Sequence, residues 1–524
     1  MKADGIIEQL AGLGVQDQFQ KIKEYAIDFE QAQETVLADI LAYAADSEYG
    51  KKYHFSEIHS VEEYREKVPV TEYADYKELI GRMELGEEDI LFPGRTPIFL
   101  NTSGTTGVPK NIPESEKGGL VKKIVSNVRM IQVAMANPKI INPQYKVFGI
   151  MNKAFYGTTK GGIPIASASG QSTKEGGSGK QRGSVAGMPL PMMVLSAPGL
   201  STDALDYLTL LYGLACDQIF AMFCNNVAHF HKLLEKFNRN SEGYIDDIRM
   251  GTISTELPEE LRKQLEESWK PNPERAEKLE KLWQEKGSLT VADIWPQFDF
   301  VGCWLSASVG RAVQEFKYLF PEKTNFFDWG YGASEGKFNI PMKPNQSGGL
   351  LATFGYFYEF LPIGAYEPLL LQDTEDGGRY ELIITTYSGF YRYNIHDIVE
   401  ITVNADSSRN IEFICKSGDK VVISGKTIYS CDLADIIEDY ERKSAERIRL
   451  FQGKVQENGL ELLVEPIDVL NRDAFEVHVR QGLENLGVPF AGITYKEEGY
   501  RDTLFVRYLE NGKTVNQTKL PVFI

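Results

Sequence analysis

The segment NTSGTTGVPK, residues 101–110, gathers the groups that bind phosphate. Gly104 and Gly107 let the backbone approach a ligand closely and take positive φ. Successive main-chain N–H groups, with the hydroxyls of Thr102, Ser103, Thr105 and Thr106, offer donors to phosphate oxygens, and Lys110 adds a positive charge. The spacing departs from the Walker pattern, GxxxxGK followed by Ser or Thr, so a P-loop NTPase is not implied. Most Gly/Ser/Thr-rich loops are only loops. The apolar run before this one, its four hydroxyls and the lysine at its end bring a phosphate site level with the plain-loop reading.

Three later segments carry further candidates. In FFDWGYGASEG, residues 326–336, Glu335 is a hard oxygen ligand of the kind Mg²⁺ needs beside a triphosphate, and Tyr331 or Trp329 could stack on a purine. In FYRYNIHDIVEI, residues 390–401, Asp397 could accept hydrogen bonds from ribose hydroxyls, and Arg392 could pair with a phosphate or carboxylate. His396 beside Asp397 invites a general-base reading, but a histidine without a nucleophile motif is weak evidence. In the terminal NQTKLPVFI, Lys519 is either a solvated lysine or a mobile cation that arrives when a small domain closes.

The elements that must position these residues follow from periodicity. Apolar residues recur at helical spacing through the first fifty residues (Phe19, Ile22, Ala26, Val36, Ile40). Residues 97–100 read as a strand running into the loop, and residues 119–133 as a helix after it, the order expected at a phosphate site in an α/β protein. Residues 161–189 form a Gly/Ser-rich stretch, either a plain surface loop or a lid. Residues 204–237 and 257–286 look helical, and residues 298–305, 380–386 and 411–414 look like strands. After a break at residues 417–420, two strand-type runs (459–464, 503–508) and two helix-type runs (432–444, 472–486) have the make-up of an independent α+β unit. The expectation is an α/β fold: a large N-terminal α/β domain (1–416) with β-sheets flanked by helices, plus a small mobile C-terminal α+β domain (417–524).

Composition sets outer bounds. A chain of 524 residues exceeds what one core usually supports, and 42% hydrophobic with 25% charged residues is ordinary for a soluble globular protein. A net charge of -18 argues against a nucleic-acid partner. Five cysteines without CxxC spacing read as reduced thiols, and no apolar stretch suits a signal peptide or membrane span, so a cytoplasmic protein is expected.

In order, TSGTTGVPK, the Tyr331-Gly332-Ala333-Ser334-Glu335 element and the downstream Tyr-Arg…Asp resemble the acyl-adenylate-forming superfamily of ligases, acyl-CoA synthetases and luciferases. Segments 48–91, 356–364 and 378–401 look like one branch, the auxin-responsive promoter, or Gretchen Hagen three, family of acyl acid amido synthetases, and the likeness covers most of the chain. Three departures stand out: His396-Asp397 replaces a usual Gly-Asp, Gly332-Ala333 replaces Ala-Ser, and Val522 replaces an arginine after Gln-x-Lys-x-Pro.

The resemblance implies ATP and Mg²⁺ as cofactors. By it, residues 102–107 and Lys110 surround the phosphates, and Thr105 or Thr106 with Glu335 serve Mg-ATP. Asp397 takes the ribose and Lys519 the adenylation step. Tyr331, Gly332 and Ser334 belong to the nucleotide-binding element. Ser306, in LSASV (305–309), falls at the adenine-side loop. The implied function is ATP-dependent activation of a small carboxylic acid as an acyl-adenylate, then transfer to an amine, with an amino acid as the expected acceptor. The alternatives are an acyl-CoA ligase of the same superfamily and a non-catalytic nucleotide- or ligand-binding protein, the latter suggested by His396. No membrane partner is implied, and no motif specifies the acid, the general base of the second step or the oligomeric state.

Overall fold

The computed structural model describes residues 5–102, 110–151, 155–167, 187–504 and 520–524. The N-terminal stretch is helical as its spacing predicts, with helices Ile6–Ala11, Val15–Ile27 and Phe29–Ala44. Their apolar faces share one core with a six-stranded antiparallel sheet. Its strand order is Phe357–Pro362, Gly378–Thr385, Tyr393–Val403, Arg409–Lys416, Gly349–Leu351 and Asn339–Ile340. The buried Gln33 pins the third helix to this sheet. Its amide donates to the carbonyls of Thr353 (2.7 Å) and Tyr356 (2.8 Å), and its oxygen accepts from the Tyr358 N–H (2.8 Å). Each polar end of the amide is thus satisfied inside the core.

A second core surrounds a four-stranded parallel sheet, Lys146–Gly149, Ile219–Phe223, Phe300–Cys303 and Asn325–Asp328. Runs such as IFAMF and FVGC are apolar throughout because helices cover both faces of such a sheet. Ile219–Phe223 corrects the expectation of helix over 204–237: helix Thr202–Ala215, this strand and helix Val227–Arg239 share that span. A short, wholly apolar run does not separate strand from buried helix by period alone.

Strand Ile98–Asn101 lies in a third sheet, paired antiparallel with Asn111–Glu114 and parallel with Pro164–Ser167, which in turn pairs with Phe155–Thr158. The segment after the phosphate loop is therefore a returning strand, and helix Glu116–Ala136 begins only beyond it, its first turn capped by Ser115. Most of the expected lid, residues 168–186, lies outside the described residues.

Beyond Lys416 the chain builds a hairpin (Lys420–Ile423 with Lys426–Tyr429), helix Ser430–Ser444, a hairpin of Ile448–Gln456 with Gly459–Pro466, helix Arg472–Asn485 and strand Phe490–Tyr495. These share their own core. The last strand joins Gly459–Pro466 in parallel. The strand expected at 503–508 is not present at its described start, where Thr503 and Leu504 are helical; the rest of that run lies outside the described residues. The C-terminus docks on the same sheet, with the Gly453 N–H donating to the Val522 carbonyl (2.7 Å) and the Ile524 N–H to the Gly453 carbonyl (3.0 Å).

Helix Ala307–Phe316 of the parallel-sheet layer holds this C-terminal unit in place. Arg311 makes a two-pronged pair with Glu441 (2.8 and 3.1 Å), and Arg501 pairs with Glu315 (2.6 Å). Among the described residues, no helix is long and apolar enough to cross a membrane.

Candidate active site

The phosphate-type loop is the connection of a hairpin. At its base the Thr102 N–H donates to the Lys110 carbonyl (2.9 Å), and the Lys110 N–H returns to the Thr102 hydroxyl (2.9 Å). One pair further in, the Asn101 amide donates to the Asn111 side chain (3.0 Å), which is held in turn by Glu84 (2.7 Å). The loop's two ends are thus fixed. Ser103, Gly104, Thr105, Thr106 and Gly107 lie outside the described residues, as does Lys519. The Lys110 ammonium sits 4.7 Å from the centre of the Tyr73 ring. Burial pushes the Tyr73 phenol up to about 12, and the charges of Glu84 and Glu335 add to the effect. Lys110 therefore lies against a tyrosine whose phenol also feels the Glu335 charge.

Helix Glu116–Ala136 backs the second motif. The buried Lys122 ammonium pairs with Glu114 and donates to the Ser334 carbonyl (2.7 Å). Arg129, also buried, donates to the carbonyls of Tyr331 (2.8 Å) and Asn339 (2.8 Å). Burial without a directly paired carboxylate pulls the Arg129 guanidinium down to about 10. These contacts stretch residues 331–339 across the helix, and the Ala333 N–H closes the turn on the Gly336 carbonyl (2.8 Å). Gly336 is required here because a Cβ would stand 2.4 Å from the Phe338 ring. Gly332 is tight in a milder way, its Cβ falling 3.0 Å from the Gly336 carbonyl oxygen.

The turn presents Tyr331 and Glu335 to Asp397. The Tyr331 hydroxyl donates to Asp397 Oδ2 (2.7 Å), while its ring is buried, stacked on Phe413 (5.6 Å between centroids) and tilted against Phe338 (5.0 Å). Protein rings thus occupy the surroundings expected for a purine, and Tyr331 meets the site through its hydroxyl. Trp329 packs on Phe223 instead (4.8 Å).

Asp397 comes from strand Tyr393–Val403, and the residue opposite it on the neighbouring strand is Lys416, whose ammonium lies against the other carboxylate oxygen. Burial opposes the Lys416 charge, yet Asp397 and then Glu335 outweigh it and hold the ammonium above its ordinary range. Glu335 is nine-tenths buried, and burial pushes its carboxyl up. Lys416 pulls it down, and Asp397 pushes it up again. The site is therefore two buried carboxylates sharing one lysine.

Two expectations need correction or sharpening. Arg392 is not free for a ligand: its guanidinium forks onto Glu359 (2.8 and 2.9 Å) and caps the Arg65 (2.6 Å) and Val68 (2.8 Å) carbonyls. Phe327, in the segment of Tyr331, is core, stacked on Phe300 (6.1 Å). His396 has φ of 58°, in the left-handed region that glycine enters freely and histidine tolerates better than most residues. Its ring lies between Glu72 (3.6 Å) and Glu381 (3.7 Å).

Ser306 precedes helix Ala307–Phe316 at the end of the strand Phe300–Cys303, the edge where α/β sheets bind ligands. Burial pushes the neighbouring Glu412 carboxyl up, against hydrogen bonds from Ser347 and Ser306. Sequence reasoning missed Lys416, Lys122 and Arg129. The helical ones carried a signal, since both fall on the face of an otherwise apolar helix stripe. Lys416 carried none, because cross-strand register is not written in either strand. Among the described residues, no group of three or more His, Cys, Asp and Glu side chains gathers as a metal site.

Comparison with known proteins agrees with this architecture. The GH3 family N-terminal domain matches residues 18–325, and the GH3 family central domain matches residues 349–416. An Arabidopsis thaliana indole-3-acetic acid-amido synthetase, GH3.4, is 25% identical over 445 residues, covering 81% of this chain and 73% of its own length. A jasmonoyl-L-amino acid synthetase of Oryza sativa subsp. japonica, GH3.5, is 24% identical over 422 residues, covering 74% of this chain and 71% of its own. Among solved structures, the GH3.15 acyl acid amido synthetase shares the fold with a TM-score of 0.79 at 19% identity, covering 96% of this chain and 93% of that one. A 2-hydroxyisobutyryl-CoA ligase in the postadenylation state shares it more distantly, with a TM-score of 0.53 at 14% identity over 94% and 89% of the two chains. With its family domains spanning most of the chain, this protein belongs to the GH3 family.

Proposed function

We propose that this chain is a ligase that uses ATP to activate a carboxylic acid as an acyl-adenylate and passes the acyl group to an amine, an amino acid being the acceptor its relatives' names suggest. The observation that carries the reading is the Asp397–Lys416 pair with the Tyr331 hydroxyl beside it and the buried Glu335 carboxylate coupled to both charges.

The acid's carboxylate attacks the α-phosphorus of ATP and expels pyrophosphate. Such a site must align the two and neutralise growing negative charge. Lys110 and the loop donors supply positive potential, Asp397 accepts from the ribose hydroxyls, and Tyr331 holds that carboxylate in orientation. Mg²⁺ commonly binds through one or two carboxylates plus substrate phosphates. Glu335, a hard buried carboxylate, fits that role, with the Thr105 and Thr106 hydroxyls as further ligands; when bound, the ion would neutralise phosphate charge. Lys519 supplies a second cation to the adenylation step. Two positions after it in the sequence, the Pro521 carbonyl accepts from the Gln452 amide of the C-terminal unit (2.7 Å).

The domains are 1–416 and 417–524, with the hinge at residues 417–420. Support comes from the separate C-terminal core and from the end of the central-domain match at residue 416. Rotation about this hinge exchanges Lys519 for the acceptor nucleophile. His396 gives the non-catalytic alternative little ground, since its backbone keeps the glycine-type conformation. The test is pyrophosphate exchange across a library of carboxylic acids, followed by amino acids or CoA offered to the acid that supports it. No exchange with any acid would sink the adenylation reading; thioester without amide would assign the acceptor to CoA instead.

A further inference from the structure

Cys415 and Cys431 stand on opposite sides of the proposed hinge. Cys415 is the penultimate residue of strand Arg409–Lys416 in the six-stranded sheet, next to the lysine that pairs with Asp397. Cys431 is the second residue of helix Ser430–Ser444 in the C-terminal unit. Their sulfur atoms are 2.7 Å apart, in a small cluster with Ile398 and Tyr429 that bridges the two units. We propose that these two residues form a reversible dithiol–disulfide pair, oxidised by a low-molecular-weight disulfide, which ties the C-terminal unit to the six-stranded sheet across residues 416–430.

The chemistry of the site suits the exchange. Cys415 lies at the N-terminus of the helix that carries Cys431. The hydrogen bond shared with the Cys431 sulfur, and against the effect of burial also the Cys431 N–H and the Ser430 hydroxyl, hold its thiol below the ordinary range while Cys431 is raised. Helix N-termini and hydrogen-bond donors stabilise thiolates in this way. The Cys415 thiolate attacks one sulfur of the small disulfide and releases one thiolate, which takes a proton from solvent. The Cys431 thiol then loses its proton and attacks the Cys415 sulfur of the mixed disulfide, expelling the second small thiolate. Two protein thiols are oxidised by two electrons, and one small disulfide is reduced to two thiols. The other cysteines are poor competitors: burial pushes the thiols of Cys216, Cys224 and Cys303 up. Because Cys415 is 6% and Cys431 5% exposed, the oxidant reaches them when the intervening hairpin, which contributes Tyr429 to the cluster, moves aside.

The functional consequence rests on the proposed rotation: the bond would restrain the unit that has to turn between the two half-reactions. The experiment incubates the whole protein with oxidised glutathione, counts thiols after denaturation, and maps disulfides by mass spectrometry of unreduced peptides. The count should fall from five to three, with Cys415 joined to Cys431, and dithiothreitol should reverse it. Hydrogen exchange in residues 416–430 should slow, and the ratio of amide formation to pyrophosphate exchange should change by about tenfold or more. Cys431→Ser, with four thiols, should form no protein disulfide and show neither the slowed hydrogen exchange nor the changed ratio, while Cys415 is left as a glutathione adduct that dithiothreitol removes. A stable glutathione adduct, a different pairing, or a mapped disulfide with unchanged exchange protection would overturn the proposal. If the reduced protein exchanges pyrophosphate with no acid, the activity reading fails, while the disulfide map and hydrogen exchange still decide the pair.

Discussion

Asp397 and Lys416 are direct partners across two antiparallel strands, and their charges meet inside the protein beside a second buried carboxylate, Glu335. Lys416 acts on both anions, with Lys122 a lesser pull on Glu335, which makes the site's electrostatics sensitive to Lys416.

Replacing Lys416 with Met should move the acid limb of pyrophosphate exchange to higher pH. Glu335 is raised by burial, and Lys416 is the first charge that pulls it back. Exchange rises as Glu335 ionises, so without the ammonium ionisation occurs later. A raised carboxyl contributes stability that is full below its unfolded value and lost as pH rises through its folded value. The variant should therefore lose more stability at neutral than at acid pH. Because the lysine side chain is 37% exposed, water screens part of the loss, and a rate deficit of ~10-fold at neutral pH is expected rather than that of a fully buried pair. A pH profile unshifted from wild type would refute the coupling.

Tyr331→Phe keeps the ring against Phe413 and Phe338 but removes the hydrogen bond to Asp397. A hydrogen bond to a charged group contributes ~1.5–3 kcal/mol. The variant should melt lower and show a raised KM for ATP, with the acid's KM little changed. Calorimetry and nucleotide titration check the two parts separately.

Asp397→Ala and Lys519→Ala should each depress adenylation strongly, by ~3 kcal/mol in activation free energy for a lost charge contact at the reacting groups. Lys519→Ala should leave the melting temperature near wild type. Wild-type exchange in either variant would remove the role given to that residue.

Arg392→Ala should act on folding instead. It leaves the fully buried Glu359 with Arg65 alone and uncaps the Arg65 and Val68 carbonyls, and since unpairing a buried charge costs ~3–5 kcal/mol, a loss toward the lower end of that range follows. A large drop in melting temperature is expected, with the KM values of the surviving protein unchanged. A raised KM at wild-type stability would return Arg392 to the substrate.

The sequence by itself determined most elements and the chemical inventory. Periodicity placed the N-terminal helices and the C-terminal helices Ser430–Ser444 and Arg472–Asn485, because amphipathic faces repeat locally along the chain. Residue types made Glu335 and Asp397 candidates, and the resemblance to adenylate-forming enzymes gave them roles. Tertiary structure alone decided what those carboxylates touch. Lys416 meets Asp397 through strand register, a property of two segments pairing rather than of either one. Arg392 looked available until Glu359, thirty-three positions earlier, claimed it. Cys415 and Cys431, unremarkable in a sparse set of five, came together because a hairpin folded back between them. Local sequence sets which groups exist, and long-range packing sets which of them share a charge, a proton or a bond.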